Sequence, residues 1–410
     1  MIHISANRLW SRLMDMAAVG ATVQGGVCRL ALSDTDKKGR DLFVNWCREA
    51  GCSIRIDAMG NIFARMAGQN PHHPPILIGS HLDSQPTGGK FDGVYGVLAG
   101  LEVIETLRDQ QIVPEIPIEI VSWTNEEGAR FAPAMIGSGV HVGVFDLDYA
   151  YSRTDKSGLT LGAELQKIGY RGSKMFSGEN YSAAFELHIE QGPILEKEQK
   201  TIGIVSGIQG IRWYDLIVKG KETHAGPTPM EYRADPVKDA IPLLQYIYSL
   251  ADTYGPLAKV TVGYLDASPG VKNTVPGQLT ISLDIRHPDA SVLEAVDADL
   301  KRATENFFAD RPTTATLQEI WYSPPVSFHP RCVEAVRQAT NDLGLTSMEM
   351  FSGAGHDSAY IARIAPTAMI FVPCKDGLSH NEAEYAAPEH VAAGCDVLLH
   401  AVLRMIPSLT

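Results

Sequence analysis

Apolar positions along this chain recur in two rhythms, and the switching between them outlines its architecture. Helical spacing comes first: Leu9, Trp10, Leu13, Met14 and Ala17 share one face of an amphipathic stretch within residues 1–20. A second helix is expected over residues 36–50, closed by Gly51. Two short strand-like segments, 53–56 and 61–65, then flank a turn at Met59 and Gly60. The run Ile76, Leu77, Ile78, bounded by Pro74, Pro75 and Gly79, reads as a buried strand, and Val94, Val97, Leu98, Leu101 and Ile104 mark a helix reaching about residue 110. A strand follows over 116–121. Residues 140–180 are mixed and read as helices and loops. Residues 185–190 alternate with period two, placing Glu186, His188 and Glu190 on one face and apolar side chains on the other.

From about residue 209 the pattern changes. Strands are expected at 212–218, 260–264, 279–286 and 316–321, with a helix from Pro236 to Thr253, capped by Asp235, and another over 291–309. The order β-α-β-β-α-β is that of a compact two-layer domain. Pro324 and Pro325 mark a linker back, followed by a helix over 330–343, a short strand near Met348, a helix after Asp357, a strand over 368–372 and a final helix from Pro388. The expected fold class is therefore α/β. A main domain (residues 1–208 and 325–410), with a mixed sheet flanked by helices, is interrupted by an inserted ferredoxin-like domain (residues 209–324).

Composition narrows the reading without redirecting it. At 410 residues two domains are the natural prior, and 45% hydrophobic with 20% charged residues is an ordinary globular balance. A net charge of −13 argues against nucleic acid or an anionic membrane as partner. The six cysteines, at 28, 47, 52, 332, 374 and 395, contain no C-x-x-C pair, so neither a zinc finger nor a disulfide scaffold is expected. No signal-peptide core or bilayer-length apolar run is present, which reads as a cytoplasmic chain.

The candidate chemistry lies at the exits of the main-domain strands: His81, Asp83 and Asp92 after the strand at 76, Glu126 and Glu127 after the strand at 116, His188, and His380 after the last strand. Ligands of α/β folds bind at such strand ends. Taken singly, each residue has a plainer reading: a loop histidine, a solvated acid pair, a histidine bonded to a neighbour. Together they form a nitrogen and oxygen set without sulfur, suited to Zn2+, Mn2+ or Co2+. They outnumber the needs of one tetrahedral ion and suit two ions bridged by a carboxylate. Cys374 and Ser379 lie near His380 in sequence, but no nucleophile and base arrangement is legible.

Seven segments then carry a resemblance: GSHLDSQPTGGKFDGVYGVLAGLEV, TNEEGARFAPAMIGS, ELHIEQGPILE, THAGPTPMEYRADP, NTVPGQLTISLDIRHPD, SGAGHDS and KDGLSHNEAEY. In that order the chain resembles the di-metal hydrolases of the aminoacylase and carboxypeptidase type. More closely it resembles their hydantoinase/carbamoylase branch, which includes N-carbamoyl-L-amino acid hydrolases, allantoate amidohydrolases and β-alanine synthases (β-ureidopropionases). The resemblance implies that His81, Asp92 and His188 bind one ion and Asp92, Glu127 and His380 the other, with Asp92 bridging, Zn2+ being the first expectation. It implies Glu126 as general base and Asp83 as the group orienting His81. It also implies that His224, Asn273 and Arg286 of the inserted domain contact substrate, with Gln191 and His356 as further substrate-side positions. Arg212 is an additional cation near the domain junction, matched in allantoate-type enzymes. The expected reaction is hydrolysis of an N-carbamoyl (ureido) amino acid to the amino acid, ammonia and CO2. N-carbamoyl-β-alanine is the first substrate, then N-carbamoyl-L-α-amino acids, then allantoate. The inserted domain is expected to act as a lid and to carry a homodimer contact. The competing readings are a non-catalytic ligand sensor, which should have lost the base or a ligand and has not, and a peptidase or aminoacylase of the wider superfamily.

Overall fold

A computed structural model describes residues 1–176 and 179–406, so residues 177–178 of the mixed stretch, and residues 407–410, lie outside the described residues. The chain divides into two compact units, Met1–Gly207 with Ser327–Thr410, and Ile208–Val326.

The first unit is built on a mixed sheet. Its spatial order runs Ser53–Ile56, Ile62–Met66, Ile118–Trp123, Ile76–His81, Ala183–Ile189, Thr367–Val372 and Ile202–Ile208, with Ser347–Ser352 also paired to the last of these. The four central strands, Ile118–Trp123, Ile76–His81, Ala183–Ile189 and Thr367–Val372, are mutually parallel, and antiparallel strands lie on either side. Every residue of those four strands is buried. Parallel strands read as near-continuous apolar runs because helices cover both faces. The helix Val94–Asp109 packs against Ile76–His81 and also contacts the helices Ala6–Ala18 and Pro388–Arg404.

Two features go beyond the sequence reading here. The polar face read in residues 185–190 does not meet water: Glu186 and His188 are as buried as their apolar neighbours. Glu186 is satisfied internally, accepting from Ser80 Oγ at 2.7 Å and from Ser358 N and Oγ at 3.1 and 2.6 Å, as buried carboxylates require. The strand Ile202–Ile208 had no counterpart in the sequence reading. Gly203 and Gly207 break its alternation, and Gly203 lacks a side chain because the Met350 sulfur and Phe371 Cβ pass where its Cβ would stand.

The second unit is a four-stranded antiparallel sheet in the order Thr314–Ser323, Gly210–Lys219, Gln278–His287, Lys259–Ser268. Its apolar face (Leu216, Val218, Ile281, Leu283, Ile285) packs with Leu243, Ile247, Leu293 and Leu300 of the helices Pro236–Thr253 and Ala290–Phe308 into one core. Asp235 caps the first helix by accepting from Val237 and Lys238 N–H. A separate two-residue ladder pairs Thr223–His224 with Thr274–Val275 and is too short to leave a periodic trace in the sequence.

Among the described residues no helix is long and apolar enough to cross a membrane.

Candidate metal centre

The parallel strands end side by side, with His81 in register with Trp123 and His188 with Phe371. The loops leaving these ends bring together His81, Asp92 and His188 in one group and Asp92, Glu127 and His380 in another, with the ligand atoms of each group within 4.8 Å of one another. Asp92 belongs to both. Its Oδ1 lies 3.1 Å from His188 Nε2 and 3.6 Å from His81 Nε2, while its Oδ2 lies 3.3 Å from His380 Nε2. His380 Nε2 is also 3.3 Å from Glu127 Oε2. Two ligands at about 2.0–2.1 Å from a shared tetrahedral ion stand roughly 3.3 Å apart, so these spacings suit ions lying between the atoms.

The histidine tautomers point the same way. Nδ1 of His81 lies 3.0 Å from the Asp83 carbonyl and Nδ1 of His188 lies 2.9 Å from the Ile189 carbonyl. A carbonyl only accepts, so each ring proton sits on Nδ1 and each Nε2 offers a lone pair toward Asp92. Among the described residues no lysine or arginine is hydrogen-bonded or ion-paired to Asp92, Glu126 or Glu127, whose partners are histidines, amides and a hydroxyl. The excess of buried negative charge and the sulfur-free donor set fit two divalent cations.

Electrostatics follow from this crowding. Burial pushes the Glu126 carboxyl well above the usual carboxylate range, with Asp357, Glu127 and Asp83 adding to the effect and His81 opposing it. Burial, then Asp92, raises Glu127 to about 7. Asp92 goes the other way: burial works against it, but the neighbouring His188, His380 and His81 rings hold it well below the ordinary value.

Glu126 Oε2 stands 3.5 Å from His81 Nε2, beside the first group. Its position is set by an unusual turn. Asn125 adopts a left-handed φ of 56°, a conformation that asparagine tolerates better than most residues. The Asp83 carboxylate then forks onto the turn, accepting from Glu126 N and Glu127 N at 3.2 Å each. Asp83 therefore meets His81 through its backbone carbonyl, and its side chain holds the two glutamates.

The remaining sequence-derived positions divide between the units. Gln191 joins the centre: its Nε2 donates to Asp92 Oδ2 at 3.0 Å and to Ser379 Oγ at 3.1 Å. His356 is 3% exposed, stacks edge-on against His188 with centroids 4.7 Å apart, and bonds Ser352 Oγ at 3.0 Å. Burial and the neighbouring His188 keep it neutral. It backs a candidate ligand instead of facing an open surface. His224, Asn273, Arg212 and Arg286 belong to the second unit. There the short ladder brings His224 and Asn273 together, Ala225 N donating to the Asn273 carbonyl at 2.9 Å. His224 Nδ1 accepts from Gly226 N at 3.1 Å, which leaves the ring proton on Nε2. Arg286 forks onto Asp284 at 2.8 and 2.7 Å, and Arg212 pairs with Glu319 while lying 4.0 Å over the Tyr322 ring.

Residues missed by the sequence reading support the centre from behind. Glu384 accepts from Phe91 N at 2.9 Å, Asp92 N at 3.1 Å and Ser379 Oγ at 3.0 Å. Gly89 leaves room for it, since a Cβ there would lie 2.0 Å from the Glu384 carboxylate. Gly93 is equally constrained, with φ of 67° and the His81 ring 2.3 Å from any added Cβ. Arg29, fully buried, donates to the Leu82 carbonyl at 2.6 Å and so fixes the link between His81 and Asp83. Only the spacing of Glu384 after His380 offered a signal.

Strand-end ligands on a mixed α/β sheet define a metallohydrolase-like site, and the sequence comparison agrees: the chain belongs to the peptidase family M20/M25/M40, whose pattern matches residues 77–404. The enzymes of this family are di-metal hydrolases. Within it, the chain is 46% identical to an N-carbamoyl-L-amino-acid amidohydrolase of Rhizobium meliloti, over 98% of this chain and 97% of that one. It is 33% identical to an allantoate amidohydrolase of Bacillus subtilis, over 95% of each. A solved amidase of the hydantoinase/carbamoylase family from Burkholderia multivorans superposes with a TM-score of 0.95 at 52% identity, covering 99% of this chain and 98% of that one.

Proposed function

We propose that this chain is a metal-dependent amidohydrolase that cleaves the C–N bond of an N-carbamoyl amino acid, releasing the amino acid, ammonia and CO2. The observation that carries the reading is the Asp92 carboxylate, each of whose oxygens faces a different group of candidate ligands, with Glu126 beside the first.

His81, Asp92 and His188 would hold one ion and Asp92, Glu127 and His380 the other, Zn2+ first, with Mn2+ and Co2+ as alternatives. Such a pair supplies Lewis acidity and lowers the pKa of water at the site. Glu126 takes the proton of the attacking water and delivers it to the leaving nitrogen. A buried carboxyl with a raised pKa is suited to both halves of that transfer. Asp83 keeps Glu126 and Glu127 in step by holding both of their amides. Gln191 steadies Asp92 through Oδ2.

The four-stranded antiparallel sheet with its two helices supports reading the second unit as a ferredoxin-like domain, and its proposed role is that of lid and homodimer contact. His224, with its proton on Nε2, would donate to the developing oxyanion. Asn273 and Arg286 would bind the substrate, Arg286 by exchanging the Asp284 carboxylate for the substrate's own. Arg212 is held by Glu319 in the same way. On substrate, the names of the relatives put N-carbamoyl-L-α-amino acids ahead of N-carbamoyl-β-alanine, the first choice from sequence motifs, with allantoate third.

The test is a panel of N-carbamoyl-L-α-amino acids, N-carbamoyl-β-alanine, allantoate, N-acyl amino acids and dipeptides, assayed by ammonia or amine release with Zn2+, Mn2+ and Co2+ supplied separately. Turnover of a carbamoyl compound, abolished by chelation and restored by metal, is expected. Cleavage of N-acyl amino acids or peptides with carbamoyl compounds inert, or full activity after chelation, refutes the proposal.

A further inference from the structure

The Glu126 carboxylate makes no hydrogen bond among the described residues; it meets the candidate centre by its 3.5 Å approach to His81 Nε2. Glu127 is different. Its side chain is tethered, accepting from Gln85 N at 3.2 Å and from Gln85 Nε2 at 2.7 Å. Glu126 is therefore aimed by the main chain beneath it. Asp83 holds that main chain downstream of Asn125, through the amides of Glu126 and Glu127. Upstream, the turn starts from Thr124, which is fully buried.

Thr124 is gripped at both its amide and its hydroxyl. The ladder between Ile62–Met66 and Ile118–Trp123 ends at the pair Ile62 and Ser122, so the Thr124 amide lies beyond its last rung. The Asn61 side chain takes over there, its Oδ1 accepting from Thr124 N at 2.9 Å. Asn61 Nδ2 donates to Asp57 Oδ2 at 2.9 Å and to the Gly137 carbonyl at 3.1 Å, which fixes the other end of the same side-chain amide. Arg40, 1% exposed, holds the hydroxyl. Its Nη2 donates to Thr124 Oγ1 at 3.3 Å, its Nη1 to the Gly60 carbonyl at 2.8 Å and its Nε to Asp36 Oδ2 at 2.7 Å. A buried ion pair by itself is a weak source of stability. What a guanidinium adds is a rigid fork that serves acceptors in several directions at once. Gly137 closes the remaining side, since a Cβ there would stand within 2.7 Å of Thr124 O, Thr124 N and Asn61 Oδ1.

We propose that Arg40 and Asn61 are positioning residues for Glu126, fixing Thr124 so that the left-handed turn at Asn125 carries the Glu126 carboxylate to the centre. The inference rests on the reading of Glu126 as the proton-transfer group. That transfer needs the carboxyl within about 2.6–3.2 Å of the group whose proton it takes, and a displacement of about 1 Å costs on the order of 100-fold in rate. Asp83 holds the turn from one end, Arg40 and Asn61 from the other. Because Glu127 has Gln85 as a second tether, loosening Thr124 moves Glu126 first, and the rate falls before metal retention does.

A double-mutant cycle on kcat with N-carbamoyl-L-alanine tests this. Thr124→Val removes the hydroxyl that Arg40 holds, and Asn61→Ala removes the acceptor of Thr124 N. Each should lower kcat about 10–100-fold with KM and metal content unchanged. Thr124→Ser keeps the hydroxyl and should stay within about threefold of wild type. In the Glu126→Gln background the valine and alanine changes should lower kcat by less than about twofold, because a residue that acts through Glu126 then has nothing left to act on. An equal fall in both backgrounds, or wild-type kcat in either single variant, overturns the proposal. Arg40→Lys, whose ammonium can serve Asp36 but not Gly60 and Thr124 as well, is read by the same outcomes where a change at 124 or 61 does not fold. The arm independent of turnover is the crystal structure of metal-loaded Arg40→Lys. There the Glu126 carboxylate should be displaced by about 1 Å while Glu127 keeps its bonds from Gln85, and an unmoved Glu126 overturns the proposal. Should no carbamoyl compound turn over at all, the proposed function falls, while the crystal structure still decides whether Arg40 positions Glu126.

Discussion

Glu384 offers the sharpest test of how the candidate metal centre is held. Its Oε1 accepts both Phe91 N–H and Asp92 N–H, and its Oε2 accepts the Ser379 hydroxyl. Glu384→Ala therefore leaves two buried amides without an acceptor in the segment that carries Asp92. Each orphaned amide costs about 1–3 kcal/mol. Allowing for local relaxation and water entry, ~2–3 kcal/mol remains charged against the native position of Asp92. At 1.4 kcal/mol per tenfold, that weakens metal retention by roughly 30–140-fold, at the upper end of the effect of removing groups behind a ligand. Glu384→Gln behaves differently. Its amide oxygen can accept both backbone N–H groups as Oε1 does now. Its Nε2 can donate to Ser379 Oγ, whose own proton then goes to Asp92 Oδ2, 3.0 Å away. The glutamine variant should retain metal within about threefold of wild type. The assay is metal content after dialysis against graded chelator, with far-UV circular dichroism to verify folding. Gly89→Ala, whose new methyl would lie 2.0 Å from the Glu384 carboxylate, should reproduce the alanine phenotype without touching the glutamate. Wild-type retention in Glu384→Ala, or equal losses in the glutamine and alanine variants, would refute the reasoning.

Three further outcomes follow from the same structure. Glu126→Gln should lower kcat by roughly 10²–10⁴-fold while metal content stays at the wild-type level, and parallel loss of metal would instead make Glu126 a ligand. Gly93→Ala should release metal from the His81 and His188 side, because the new Cβ would lie 2.3 Å from the His81 ring at a φ of 67°; unchanged metal content would count against that packing. His141 links pH to stability. Burial holds its imidazole down at about 4 against the usual 6.5, so the folded state keeps it neutral while the unfolded chain protonates as pH falls through 6.5. Its contribution is full above that pH and is lost progressively down to about 4, a drop of about 3 kcal/mol. In His141→Phe, denaturant titrations across that window should show the acid-induced loss reduced by this amount, on top of a pH-independent cost from the Tyr181 hydroxyl now lacking its 3.1 Å partner; an unchanged acid slope would rule His141 out.

Much of this arrangement was legible in the sequence, for identifiable reasons. The strand at Ile76 announced itself because a central parallel strand is apolar on both faces and ends where its ligands begin. The start of the helix Pro236–Thr253 was readable to the residue because Asp235 and Pro236 form its cap. The support of the site was not legible. Glu384 looks like an ordinary loop acid, and what distinguishes it is burial and the partners it finds, which depend on a segment some 293 positions away in the chain. Asp83 shows a subtler limit: its link to His81 was anticipated, but a sequence does not say whether a residue acts through its carbonyl or its carboxylate. The ion pair of Arg212 with Glu319 is similar, since the two lie on neighbouring strands and only register brings them together, whereas Asp284, two residues before Arg286 on the same strand, is a partner the sequence offers directly.

The two halves of the candidate centre differ in one respect that bears on how the protein would behave on the bench. The His81 and His188 side chains are 2% and 1% exposed, whereas that of His380 is 51% exposed. An ion held by the buried pair leaves only when the strand ends open, while one held by His380 can be drawn off by a turn of a surface side chain. Emptying and refilling would therefore be sequential. Brief chelation is expected to give a half-loaded protein, whose second position would take up whichever metal the medium last supplied. Preparations of one sequence made in different buffers would then differ in composition at that position alone, while the buried position keeps the ion acquired as the chain folded.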